Sequence, residues 1–299
     1  MTVWSRVIGL AARPLRGRGL RARTRALGAS ARRGSRRLLL ARRPPLAFLG
    51  HHRSASTWIS KRVLQPVCER VGLHWTYSYT PTQLDEALAP CDGAPVLHCH
   101  VNANRDSAGR IGLSRGFHVI RDPRDVIVSG YYAHLHSHSI GPWRELEGHR
   151  RLLRSLSREA GLLAEIEFSS RLPTEGHLLE PFRALAEWDF AQPNVLELRF
   201  EALVSDPLGT VLEALGFLGL LGSGPWRISR RRVARLVEGV AFPRLSGGRA
   251  RGQADPASHY RAGVGGEWRT HFGPEHKRAF EERHPGLLQR LGYEADGGW

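Results

Sequence analysis

From Leu46 to Gly50 the chain runs Leu-Ala-Phe-Leu-Gly, and from His51 it continues His-His-Arg-Ser-Ala-Ser-Thr-Trp before apolar residues return at Ile59, Val63 and Val67. The apolar run reads as a short strand and the polar stretch as a tight turn. The return of apolar residues every fourth position reads as a helix. A turn of this kind leaves backbone N–H groups at the helix start pointing at whatever sits above it. One cation, Arg53, and three hydroxyls, Ser54, Ser56 and Thr57, surround those groups. Together they describe a cradle for an anion.

The spacing is close to that of a Walker A loop and departs from it at two points. Ala55 stands where the second glycine would be, and no lysine precedes the Ser56-Thr57 pair. The stretch is therefore a phosphate loop of another kind, or a strand–turn–helix that binds nothing.

The remaining chain alternates in the same way. Strands are expected at 74–79, 95–100, 116–120 and 194–200, each a short apolar run bounded by turn residues. Asp122-Pro123, with Asp125 in the first turn, starts a helix through Val126 to Tyr132. Further helices are expected at 177–189, 201–220 with a break at Asp206-Pro207, 230–238 and 274–283. Gly72 is a plausible stop for the first helix. Residues 134–173 give no clear period and are expected as helices over the mouth of the domain. Residues 242–266 read as a long Gly-, Ser- and Arg-rich loop. Strands alternating with helices predict a three-layer α/β/α fold around a central parallel sheet. Ligands of such sheets sit outside the carboxyl ends of the strands. Three of those ends carry chemistry: the Arg53 turn, His98 with His100, and Arg121.

Charge divides the chain. Of a net +16, thirteen positive charges are arginines before Pro44, in a stretch with no acidic residue, which leaves +3 for the rest. Residues 1–44 hold too few large apolar groups to bury a core and are expected as a disordered basic tail. Such a tail suits an anionic membrane surface, nucleic acid or a transit address, and is equally what an unselected extension would look like. Residues 45–299 are expected to form one domain. Cys68, Cys91 and Cys99 show neither zinc spacing nor a disulfide framework, as suits a reducing, cytoplasmic compartment. No apolar run reaches the ~18 residues needed to span a membrane.

The segment Phe117-His-Val-Ile-Arg121-Asp-Pro-Arg-Asp-Val-Ile-Val-Ser129-Gly-Tyr-Tyr132 closely resembles the 3′-phosphate motif of sulfotransferases that use 3′-phosphoadenosine-5′-phosphosulfate. The resemblance implies that Arg121 and Ser129 bind the 3′-phosphate. A planar guanidinium at a strand end suits that task on its own chemistry. His52 to Trp58 is similar to the family's 5′-phosphosulfate loop. The match places Arg53 on its lysine, Ala55 on its glycine, Ser56 and Thr57 on its hydroxyl pair and Trp58 on its adenine-stacking aromatic. Arginine cannot give up a proton at neutral pH, so Arg53 would act through its charge alone. If the turn needs a positive φ at Ala55, that residue is strained.

Pro95 to His100 resembles the strand that delivers the catalytic base, with His100 on the base and His98 on a lysine. His51 and His52, nearer the loop, and the carboxylates Asp85 and Glu86 stay open as alternatives. Leu196 to Pro207 resembles another family strand and helix start, with Phe200 in place of a tyrosine. Tyr260 to Arg269 resembles the C-terminal lid, which implies that Arg261 and the backbone at Ala262 and Gly263 clamp the 3′-phosphate. The fold implied is P-loop NTPase-like. The activity implied is transfer of a sulfuryl group to an acceptor hydroxyl or amine, with no metal. Two separated clusters of charge, Arg53 on one side and Arg121 with Arg261 on the other, are expected to hold opposite ends of the donor. The rival readings are a degenerate P-loop kinase or NTPase, and a non-enzymatic basic protein acting through its tail. The acceptor and the oligomeric state are not legible.

Overall fold

The computed structural model describes residues 44–88, 95–141, 143–170, 181–224, 226–296 and 299. The basic stretch before Pro44 and Cys91 lie outside the described residues.

Five strands, β1 (Leu46–Gly50), β2 (His74–Ser78), β3 (Val96–His100), β4 (Arg115–Ile120) and β5 (Val195–Arg199), form one sheet in the order β2-β3-β1-β4-β5. Every pairing is parallel, and β1 sits between β3 and β4. The helices that build the core and the site are α1 (Trp58–Val71), α2 (Pro123–Tyr132), α3 (Glu145–Ser155), α4 (Arg158–Ser169), α5 (Pro207–Phe217), α6 (Arg230–Gly239) and α7 (Pro274–Arg283). The expected helix at 177–189 is seen as Pro181–Ala186, and 171–180 lie outside the described residues.

Both faces of the sheet are covered, as a parallel sheet requires. On one face Phe48, Cys99, Phe117, Val119 and Leu198 pack with Val63 and Val67 of α1, Leu215 of α5 and Val233 of α6. On the other, Ala47, Leu49 and Val195 meet Leu84, Ile111 and Trp188. That second face also carries a polar seam, because the register sets Thr76 beside His98, Ser78 beside His100 and His118 beside Glu197. A further core joins α2, α4 and α7 through Val126, Leu162, Ile166 and Phe280.

Local chemistry sets the ends of the elements. Asp122 caps α2 by accepting from the Arg124 N–H at 3.0 Å, with Pro123 in the first turn. The first two turns of α1, Trp58–Leu64, are wound as a wider π-helix before Gln65–Val71 tightens to α. Gly72, at φ +78°, ends it and donates to the Cys68 carbonyl at 2.8 Å. No helix among the described residues is long and apolar enough to cross a membrane.

Candidate active site

The turn after β1 closes on one acceptor. The carbonyl of His51 accepts from the Ser54 hydroxyl at 2.7 Å and the Ser56 hydroxyl at 2.8 Å. Closing it so tightly puts Arg53 and Ala55 in the left-handed region, at φ +63° and +62°. The positive φ anticipated at Ala55 is therefore present, with the strain a Cβ brings there. Ser54 is fully buried, and its oxygen also accepts from the His51 N–H at 3.0 Å. It holds the turn from behind and does not line the cavity, so the ligand role expected of its hydroxyl is corrected.

Above the turn lies a cavity of about 1280 Å³. Arg53, Ala55, Ser56, Thr57 and Trp58 of the loop line it, as do Arg121, Ser129, Arg261, Ala262 and Gly263. Segments as far apart in sequence as Arg53 and Arg261 thus meet at the carboxyl ends of the strands. Trp58 is fixed by its indole N–H, which donates to the Val240 carbonyl at 2.8 Å.

All three arginines line this one cavity. Arg53 reaches across the turn and its Nε donates to Ser129 Oγ at 2.9 Å. Arg121 is buried, lies 4.1 Å over the Phe200 ring and donates to the Arg53 carbonyl at 3.1 Å and the Val264 carbonyl at 3.4 Å. Its Nε has no hydrogen-bond partner among the described residues. Arg261 lies 4.7 Å over Tyr132 and forks onto Glu267, one bond being 2.9 Å, while its Nε too has no partner among the described residues. Burial, and then the charges of Arg121 and Arg261, pull the Arg53 guanidinium down to about 10, against a smaller pull upward from Glu165. It remains a cation at neutral pH. Buried like charges held this close are costly alone and are relieved by an anion among them. The lid's approach needs Gly263, at φ +66°, because a Cβ would fall 2.5 Å from the Phe242 ring.

The expected base is elsewhere. His98 and His100 do not line the cavity. The β2–β3 register sets them against hydroxyls: Thr76 and Ser78 take both nitrogens of His98 at 2.7 and 2.8 Å, and Ser78 meets His100 Nδ1 at 2.7 Å. Burial lowers His98 to about 3 and His100 to about 4. Both are neutral rings within the sheet seam, which corrects their placement at the reacting centre. Of the alternatives, Asp85 pairs with Arg110 at 2.7 Å on the surface, while Glu86, His51 and His52 border the cavity.

The roles of three further residues were not readable in the sequence. Asp125 accepts from the N–H groups of Gly266 at 2.6 Å and Trp268 at 3.0 Å, so it ties the lid to α2. Glu267 orients Arg261. Glu165, on α4, joins His134 and His149 in a buried cluster whose ligand-type atoms lie within 4.8 Å of one another.

A family model described as a sulfotransferase domain matches residues 115–292, more than half of the chain. The match begins after the Arg53 turn and β3. It contains the Arg121–Ser129 segment, Phe200 and the lid. In fold the chain is similar to mouse sulfotransferase SULT7A1 complexed with PAP, with a TM-score of 0.54 and 16% identity over 85% of this chain and 90% of that one. Retinol dehydratase in complex with androsterone and the inactive cofactor PAP aligns at a TM-score of 0.46 and 17% identity, over 83% of this chain and 81% of that one. None of the curated proteins matches. The extent of the domain match settles the family: this chain belongs to the sulfotransferases.

Proposed function

We propose that the cavity takes 3′-phosphoadenosine-5′-phosphosulfate and that residues 45–299 move its sulfuryl group to a hydroxyl or amine of an acceptor in the same cavity. The observation that carries this reading is Arg121: a buried guanidinium with a free Nε, on the cavity wall beside Ser129, Arg53 and Arg261. In this proposal Arg121, Ser129, Arg261 and the backbone at Ala262 and Gly263 hold the 3′-phosphate, and Trp58 stacks on the adenine. Ser56, Thr57 and the start of α1 face the 5′-phosphosulfate. As the bond from sulfur to the bridging oxygen breaks, Arg53 and the α1 N-terminus offset the charge growing on that oxygen. Positioning and fixed charge do most of the work, as in phosphoryl transfer.

The test is a thermal shift on the full chain. 3′,5′-Adenosine bisphosphate raises the melting temperature by about 3 °C or more at a hundredfold its dissociation constant, and Mg²⁺-ATP at the same concentration does not. The opposite order returns the protein to the kinase or NTPase reading. For the thirteen arginines before Pro44 the proposed partner is an anionic membrane surface on the cytoplasmic side. The full chain then sediments with phosphatidylserine vesicles at low salt, and a chain lacking residues 1–43 stays in solution.

A further inference from the structure

Behind the cavity wall, ligand-type side chains from three successive elements converge in the interior. His134 sits just past α2, where the chain winds as a π-helix over Ala133–Ser137. His149 is on α3 and Glu165 on α4. Their exposures are 1%, 7% and 0%. His134 Nδ1 lies 2.9 Å from Glu165 Oε1 and 3.0 Å from Oε2, and His149 Nε2 lies 2.8 Å from Oε2. The ligand-type atoms of all three fall within 4.8 Å of one another.

A buried carboxylate needs a partner, but one ring would serve. Here two rings aim a nitrogen at the same oxygen, and the fold makes room for the convergence. A Cβ on Gly130 would lie 2.6 Å from Glu165 Oε1. Arg150 pins the π-helical turn by donating to the His134 and His138 carbonyls, both at 2.5 Å. His149 lies flat on Phe168, with ring centres 3.8 Å apart. A tetrahedral ion with bonds of about 2.0–2.1 Å sets its ligand atoms about 3.3 Å apart. The nitrogen–oxygen contacts need to open by about half an ångström to admit one.

The surroundings also suit a ligand set. With a metal on Nδ1, His134 carries its hydrogen on Nε2, which faces His52 Nε2 at 3.3 Å, a ring nitrogen able to accept it. The Ser169 hydroxyl donates to Glu165 Oε1 at 3.2 Å and leaves Oε2 for the ion. Two imidazoles and one carboxylate offer too few oxygens for calcium or magnesium, and no thiolate to select copper(I). They suit zinc, which accepts three protein ligands with water as the fourth.

We propose that His134 Nδ1, His149 Nε2 and Glu165 Oε2 hold one zinc ion, which joins the end of α2 to α3 and α4. Its role is structural. The buried face of α3 is Leu146, His149 and Leu153, so the ion supplies part of the attachment that apolar packing supplies elsewhere. Trp143, which borders the cavity, stands edge-on to His134 with ring centres 5.1 Å apart. The metal thus steadies the substrate wall without touching substrate. This departs from the metal-free chain expected from the sequence, because the ligands come from three elements and leave no zinc spacing to read. It does not depend on the donor reading.

The test uses the full chain, purified without a histidine tag and stripped with chelator. Zinc sulfate is expected to bind at about one ion per chain, and at a hundredfold its dissociation constant to raise the melting temperature by about 5 °C or more. Cobalt(II) in its place is expected to give the intense visible absorption of a tetrahedral site, which added zinc then bleaches. Glu165→Gln and His149→Gln are each expected to weaken zinc binding about a hundredfold or more, and His98→Gln, in the sheet seam, to leave it unchanged. Should both ligand variants fail to fold, the cobalt spectrum of the wild type decides, and a weak octahedral spectrum overturns the site. A wild-type chain that takes up no zinc at micromolar concentration overturns it too, and leaves the cluster as a hydrogen-bonded support. So does zinc that both Glu165→Gln and His149→Gln retain, which would place the ion on other side chains.

Discussion

Ala55 is a residue in a glycine's conformation. At φ +62° its Cβ crowds the backbone, at a cost of about 1–2 kcal/mol. Glycine removes the strain but gains freedom in the unfolded chain, which returns part of the benefit. Ala55→Gly is therefore expected to stabilise by about 0.5–1 kcal/mol, roughly 1–3 °C in melting temperature, with bisphosphate binding kept. A destabilised variant would show that the Ala55 methyl packs more than it strains. Arg121 carries the opposite expectation. Its fork is buried against Phe200 and anchored on the Arg53 and Val264 carbonyls, so it is held in place before any ligand arrives. Arg121→Ala is expected to lower bisphosphate affinity more than a hundredfold, or about 3 kcal/mol, with the helical circular dichroism unchanged. Arg121→Lys keeps the charge and loses the fork, and should restore only part of it.

At the scale of elements, α2 is the piece that connects everything. Its N-cap follows β4, Ser129 faces the cavity from its second turn, and Asp125 grips the lid. Asp125→Asn keeps one accepting oxygen and sets an amide against an N–H, so one lid bond is lost at about 1–3 kcal/mol. Trypsin cleavage after Arg249 and Arg251 should then quicken roughly tenfold or more, measured on the bisphosphate-bound chain. An unchanged rate would mean that the lid is held by other contacts. Much of this frame was legible. Short apolar runs fixed the strands, and Asp122-Pro123 fixed the start of α2, because both signals are local. The widened turns at Trp58–Leu64 have no local signal. Nor does the fate of His98 and His100: alternation puts both on one face of β3, but only the register shows that β2 sets hydroxyls opposite them. Glu165 was invisible for a related reason, since it meets His134 across 31 residues through the packing of α4 on α2.

Across the whole molecule, neutral histidines in buried places make stability depend on pH, and the sign can be worked out. His98 is held at about 3 and His100, His138 and His284 at about 4, each chiefly by burial. In the unfolded chain all four return to about 6.5. Between pH 6.5 and 4 the unfolded state therefore binds more protons than the folded one, and stability falls as pH falls through that window. Glu165 adds to the fall further down. Its folded value near 2 lies below its unfolded value, so its contribution is complete above about pH 4.5 and is lost as pH drops toward 2. Urea midpoints should accordingly be level from pH 8 to 7 and decline from about 6.5, each histidine steepening the slope by up to about 1.4 kcal/mol per pH unit. A second, carboxylate-driven drop should begin below about 4.5. The sheet seam contributes to the first decline and not to the second, so a His98→Gln variant should flatten the curve between pH 6.5 and 4 while leaving the lower limb in place. A wild-type midpoint constant from pH 7 to 4 would mean that water reaches the seam and that these rings titrate as they do in solution.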